Sequence, residues 1–168
     1  MIKELAIYEE ALHEVRATEE TLLSTLSFAP SEGTSTSAST STTPDAPALS
    51  VGYARTLLVF ATAADAAAHN PAGMALHFHN YSTWRSAPGI YIEDLIVRQA
   101  QRGKGYGSLL LGALAKEVRR IGGERLEWAC LKCNEPSLKF YKGVGAERMD
   151  DWVSLRTSDE ALRALAGV

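Results

Sequence analysis

The sequence contains no apolar run approaching the ~20 residues that a membrane-spanning helix needs. Nor does it open with the basic, then apolar, then small-residue order of a secretory signal. These absences predict a soluble, cytoplasmic protein with no membrane partner. It also lacks a basic excess: 17 Lys and Arg stand against 20 Asp and Glu, a formal net charge of −3. No nucleic-acid partner is therefore expected, because that role needs clustered Lys and Arg. The slight negative balance favours cationic small molecules. Cysteine is scarce, with only Cys130 and Cys133 spaced as CxxC. A redox pair wants the helix N-terminus of a thioredoxin-like unit, and these two follow an apparent strand, LEWACL. A zinc site would have to recruit His77 and His79, which alternate along a strand and are more ordinarily surface or core neighbours. No metal is expected.

What is present is ordinary globular material: 168 residues, 46% apolar and 22% charged. That is one domain spanning residues 1–168 and large enough to bury a core. One stretch inside it, residues 31–50 (SEGTSTSASTSTTPDAPALS), has almost no side chain able to pack, so it is read as a disordered Ser/Thr-rich loop insertion. Around it, Ile2, Leu5, Ala6, Glu9 and Leu12 fall near helical spacing over residues 2–13, and Thr18 opens a second short helix. Residues 51–61 and 74–80 read as antiparallel strands, with a turn and one helical turn between them. IYIEDLIV (90–97) reads as a largely buried strand carrying two acids. Residues 108–121 read as a helix closed by Gly122 and Gly123. LEWACL (126–131) is then a strand parallel to 90–97, because a helix links them. Asn134 and Pro136 open a further helix. The segment 149–158 reads as a last strand, followed by a tail helix. The class is α/β with a mixed sheet.

The strand at 90–97 and the helix at 108–121 enclose RQAQRGKGYG. There Gly103, Gly105 and Gly107 alternate with Arg102, Lys104 and Tyr106, so the backbone turns tightly and offers unscreened N–H groups. With the helix dipole, Arg98, Arg102 and Lys104, this is an anion cradle suited to a pyrophosphate. A Walker loop, GxxxxGK[ST], is absent, and the spacing GxGxG followed by Ser108 departs from the dinucleotide fingerprint GxGxxG. The acyl-CoA pattern Q/RxxGxG/A is met by Arg102, Gly105 and Gly107.

Five ordered blocks now carry a resemblance: IKELAIYEE, YSTW (81–84), YIEDL, the glycine loop, and NEPSLKFYKGVGA (134–146). Together they resemble the GNAT superfamily of N-acetyltransferases, in the diamine branch of spermidine/spermine and thialysine acetyltransferases. The likeness covers most of the chain outside residues 29–70. It implies a GNAT fold, acetyl-CoA as co-substrate and a homodimer. It implies two parallel strands that splay so that the pantetheine arm fills the gap, bonded to main chain at Leu95, Ile96 and Val97. The pyrophosphate would lie on Arg102, Gly103, Lys104, Gly105, Tyr106, Gly107 and Ser108, with Asn134, Ser137, Tyr141 and Lys142 completing the cofactor contacts. Relatives usually begin with a strand and loop before the IKELA helix. This sequence starts at that helix, so the fold is expected to lack the usual first strand and to expose another edge.

Acetyl transfer to an amine has two proton problems. An alkyl ammonium has a pKa near 10.4, and a departing thiolate, with thiol pKa near 8.5, leaves better when protonated. Glu93 is the candidate base, its plainer role being a surface carboxylate. Strand alternation puts Asp94 on the opposite face unless a bulge intervenes. Tyr141 is the candidate acid, its plainer role being aromatic core. Backbone amides near Leu95 would stabilise the oxyanion, and attack would be direct. A ping-pong route through Cys133 has no nearby His in sequence, and relatives often carry a bulky aromatic at that position. The resemblance sets Tyr8, Glu9, Trp84, Glu93, Asp94, Glu127 and Trp128 around the amine, with Asp150 and Asp151 as further acids. Polyamine acetylators carry an acid in YDPW where this chain has Ser82 and Thr83, so a short diamine or a thialysine- or ornithine-like amino acid stands level with spermidine. Two other readings stay open: a weak acyl-CoA-binding regulatory module, and a protein lysine acetyltransferase.

Overall fold

The computed structural model describes residues 1–28 and 52–168, so the Ser/Thr-rich segment at 31–50 lies outside the described residues. The chain divides into two compact units, Met1–Ala129 and Cys130–Val168.

The first unit opens with α1 (Ile2–Tyr8), shorter than the helix expected over 2–13. Glu10 adopts a φ of 59°, which no right-handed helix accommodates, and a separate 3-10 turn follows at Leu12–Glu14. Helix α2 (Glu19–Thr25) starts where Thr18 predicts: its hydroxyl accepts from the Thr21 amide at 3.2 Å, and the Thr21 hydroxyl accepts from the Thr18 amide at 2.9 Å. Strands β1 (Arg55–Val59), β2 (Gly73–Ser82), β3 (Ala87–Val97) and β4 (Arg125–Trp128) form one sheet in that order, with a short α3 (Ala63–Ala67) between the first two. The first three strands are antiparallel neighbours, and β3 and β4 are parallel. Among the described residues β1 is an edge strand.

Helix α4 (Tyr106–Arg120) supplies the crossover between β3 and β4. Its buried stripe is Leu110, Leu111, Leu114 and Val118. It covers the sheet face bearing Ala75, His77, Ile90 and Ile92, of which Ala75 and Ile90 are fully buried. At about 25 cal/mol per Å² of apolar surface removed from water, such a layer dominates the stability of the unit. The opposite face carries Met74, Leu76, Phe78 and Asn80 of β2 beside Ile96, Asp94, Tyr91 and Gly89 of β3. Phe78 and Tyr91 stack there at 5.3 Å between ring centres.

The second unit contains α5 (Glu135–Gly143) and α6 (Asp159–Ala166). The strand expected at 149–158 does not form: the segment is irregular, and Trp152, Val153 and Leu155 are exposed. A strand needs a neighbour to take its N–H and C=O groups, and none pairs with it among the described residues. Strand β4 likewise stops at Trp128 rather than Leu131. The chain turns there, and the Asn134 amide donates to the Leu131 carbonyl at 3.0 Å.

Candidate active site

The site begins with an irregularity in β3. Ile92 pairs with His77, yet Asp94 pairs with Leu76, so one residue, Glu93, has no partner on β2. This is a β-bulge. Residues two apart in a regular strand share a face, but here Ile92 lies under α4 and Asp94 emerges on the opposite side. The strict alternation that would have separated Glu93 from Asp94 therefore fails. Glu93 is exposed, and its negative charge acts on both Tyr91 and Asp94. Burial first, and then the charges of Glu93 and Glu9, raise the Asp94 carboxyl above its ordinary 3.8. Burial first, and then Glu93 and Glu127, raise the Tyr91 phenol.

Two residues past Val97 a 3-10 turn, Gln99–Gln101, leads the chain into the glycine loop. Gly103 and Gly105 have φ of 75° and 84°, and a methyl group placed on either would meet nothing within 4 Å. The glycines are thus required by backbone conformation, and the space before them is open. Gly105 is the N-cap of α4 and brings no side-chain oxygen to its first-turn amides. This arrangement fits a pyrophosphate. The neighbouring cations each have a protein partner. Arg98 pairs with Glu4 at 3.3 Å and donates to Asn70 Oδ1 at 2.6 Å. Arg102 Nε donates to the Val97 carbonyl at 3.1 Å, and Lys104 donates to Gln101 Oε1 at 2.8 Å.

Of the proposed amine-side residues, Glu9 reaches the bulge through its charge on Asp94. Tyr8 lies under the Arg102 guanidinium, 4.6 Å from ring centre to Cζ. Trp84 is 86% exposed in the turn between β2 and β3. Five β3 residues lie between the foot of that turn, Ala87, and Glu93, about 20 Å of strand, so the structure does not bring the two together. Glu127 lies across from Tyr91, but its carboxylate accepts from Asn80 Nδ2 at 2.5 Å and pairs with Arg125 at 2.8 Å. Trp128, across from Ile92, belongs to the α4 face. Sequence reasoning missed Asn80, Tyr91 and Arg125. The available signal was Gly89, since a glycine inside a strand marks a close approach.

On the other sheet face, His77 and His79 sit near Arg55, Glu117 and Arg120. Among the described residues no group of three or more His, Cys, Asp or Glu side chains could hold a metal ion. In the second unit, Asn134 Oδ1 accepts from the Ser137 amide at 3.3 Å and caps α5. Tyr141 lies on that helix beside Phe140, ring centres 5.3 Å apart, and Lys142 follows it, exposed. Cys130 and Cys133 form no disulfide.

A mixed sheet with a bulged central strand, feeding a glycine loop and a crossover helix, defines an α/β domain. The chain belongs to the acetyltransferase (GNAT) family, whose sequence profile matches residues 36–146. It is 38% identical over 94 residues to an L-ornithine N5-acetyltransferase of Arabidopsis thaliana, covering 56% of this chain and 41% of that one. It is 35% identical over 98 residues to the thialysine N-epsilon-acetyltransferase of Bos taurus, covering 56% and 57%. The chain spans about half the length of the curated relatives it matches. Among solved structures, an integron cassette protein from the mobile metagenome of V. cholerae superposes with a TM-score of 0.55 at 28% identity, over 58% of this chain and 60% of that one.

Proposed function

We propose that this chain is an N-acetyltransferase that moves the acetyl group of acetyl-CoA to a primary amine of a small diamine, polyamine or diamino acid by direct attack. The observation that carries this reading is the bulge, which puts Glu93 out of register on the strand that leads, through the 3-10 turn, into the glycine loop. Glu93 would take the proton from the ammonium, directly or through water. The amides of Gly103 to Ser108 would hold the phosphates, and main chain at Leu95, Ile96 and Val97 would hold the pantetheine arm. Tyr141 would give its proton to the departing thiolate, a phenol of pKa about 10 being protonated at neutral pH. Asn134, Ser137 and Lys142 complete the proposed cofactor contacts.

A diamino acid is favoured within the class. The relatives named above act on ornithine and thialysine, and Ser82 and Thr83 supply no carboxylate for a second ammonium. The structure favours Glu9 and Asp94 for that second charge over Glu127, which Arg125 and Asn80 already engage. The same reading has residues 1–168 acting as one acetyltransferase domain, as a cytoplasmic homodimer.

Thiol release from acetyl-CoA, measured against spermidine, putrescine, diaminopropane, thialysine, ornithine and a histone-tail peptide, tests it. Turnover with one of the small amines is the expected result. Acetyl-CoA binding without turnover on any of them would replace this reading with that of a binding module.

A further inference from the structure

We propose that the Tyr91 hydroxyl holds the second cationic group of the amine, which makes Tyr91 a specificity-determining residue for diamines and diamino acids over monoamines. The inference rests on the acetyltransferase reading above and names a substrate contact of that same site.

The direction of β3 decides which part of its open face the amine can use. The reading above gives main chain from Leu95 onward and the glycine loop to acetyl-CoA, and Glu93 to the reacting nitrogen. The cofactor thus takes the downstream half of the strand, which leaves the upstream half for the body of the amine. The first residue there on the face turned away from α4 is Tyr91. Asp94 pairs with Leu76 and Tyr91 with Phe78, and Leu76 and Phe78 are two apart on β2, so across the bulge Asp94 and Tyr91 become neighbours on one face. The strip is bounded further upstream, where Asn80 donates to Glu127 beside Gly89, two residues and about 7 Å along the strand from Tyr91.

Three properties fit Tyr91 to a cation. Its ring is held in place by the stack on Phe78, 5.3 Å between centres. Its hydroxyl has no hydrogen-bond partner among the described residues, although a tyrosine O–H ordinarily finds one. Its surroundings are negative: Glu93 and Glu127 act on the phenol, and Glu93 and Glu9 act on the neighbouring Asp94. Arg125 offsets Glu127 at 2.8 Å, whereas no ion pair among the described residues engages Glu93 or Asp94, so the uncompensated charge lies on the bulge side of the ring. Burial first, and then Glu93 and Glu127, keep the phenol protonated. A neutral phenol accepts from an ammonium with its oxygen while its proton remains free for a carboxylate. A monoamine has nothing to offer this position.

Steady-state kinetics of the full chain on matched amines tests this: ornithine against δ-aminovalerate, and diaminopropane against propylamine, each pair differing by a single amino group. The readout is the preference for the member with two amino groups, as a ratio of kcat/KM. Tyr91→Phe keeps the ring and its stack and should cut that ratio about ten-fold, through KM, the size of a hydrogen bond to a charged group. Tyr91→Lys sets a cation of its own beside Glu93 and Asp94 and should cut the ratio further. A role in packing alone would lower turnover of both members together and leave the ratio in place, which overturns the inference. A wild-type ratio near one overturns it as well. Calorimetric titration with CoA separates the failures. A wild-type chain that binds no CoA, or binds it and acetylates none of the amines, overturns the acetyltransferase reading and this inference with it. Turnover whose ratio is indifferent to both substitutions removes the Tyr91 contact alone.

Discussion

Asn80 on β2 donates to Glu127 on β4 at 2.5 Å, although β3 runs between the two strands. The bridge passes over Gly89, the register partner of Asn80 on one side and of Arg125 on the other. A Cβ at Gly89 would collide with Asn80 Oδ1 and come within 3.0 Å of the Arg125 carbonyl. Gly89→Ala should therefore destabilise the protein by about 1–3 kcal/mol through overpacking, measured by urea denaturation. Asn80→Ala in the same chain should recover part of that loss, because it removes the nearest atom.

Glu93 has no partner on β2, so replacing it should leave the sheet intact. Glu93→Gln is expected to lower kcat by about 10²–10⁴-fold while CoA affinity and melting temperature stay close to wild type. A kcat within a few-fold of wild type, measured by thiol release, would remove Glu93 as the base.

Gly105 caps α4 at a φ of 84°. An alanine there adds strain of about 1–2 kcal/mol and places a methyl group in the open space before the amides. Gly105→Ala should weaken CoA binding about ten-fold or more, the equivalent of about 1.4 kcal/mol, and lower the melting temperature. The same titration calorimetry reads the affinity.

Asp94 carries a pH signature. Its carboxyl is raised in the folded protein relative to its ordinary 3.8, so the unfolded chain ionises more readily. Ionised Asp94 consequently penalises folding at neutral pH, and the penalty fades as pH falls through the folded value towards 3.8. Asp94→Asn should melt higher than wild type at pH 7, with the gap closing by about pH 4. A constant gap across a melting series over that range would contradict the assignment.

His77 has the opposite sense. Burial, opposed by a hydrogen bond with the Ala75 backbone and added to by Arg55 and His79, lowers its value in the fold below the ordinary 6.5, while Glu117 acts to raise it. The unfolded chain binds the proton more readily, so stability should fall as pH drops below about 6.5. His77→Gln should flatten that part of the profile in urea titrations between pH 5 and 8.

The local elements were legible because local chemistry decides them. Thr18 caps α2, Gly105 and Gly107 lead into α4, and the crossover helix forces β4 parallel to β3. The bulge was not legible as such, since IYIEDLIV reads as one regular strand, and only its register against Leu76 and His77 shows the extra residue. The break after Tyr8 was hidden for a similar reason: IKELAIYEEALH keeps its helical spacing through Glu10, whose backbone turns left-handed. The pairing of Arg102 with Tyr8 joins residues 94 positions apart, a contact that no spacing rule anticipates. Trp152 and Val153 carry the composition of a strand, but a strand also needs a neighbour, which composition does not supply.

The bulge sets apart what the sheet needs from what it merely carries. Remove Glu93 and the ladder closes: Ile92 still meets His77, Asp94 still meets Leu76, and both layers keep their side chains. Every other residue of β3 is committed to a partner across the strand. Glu93 is surplus to the architecture, a residue that a chain under pressure only to fold would be better off without.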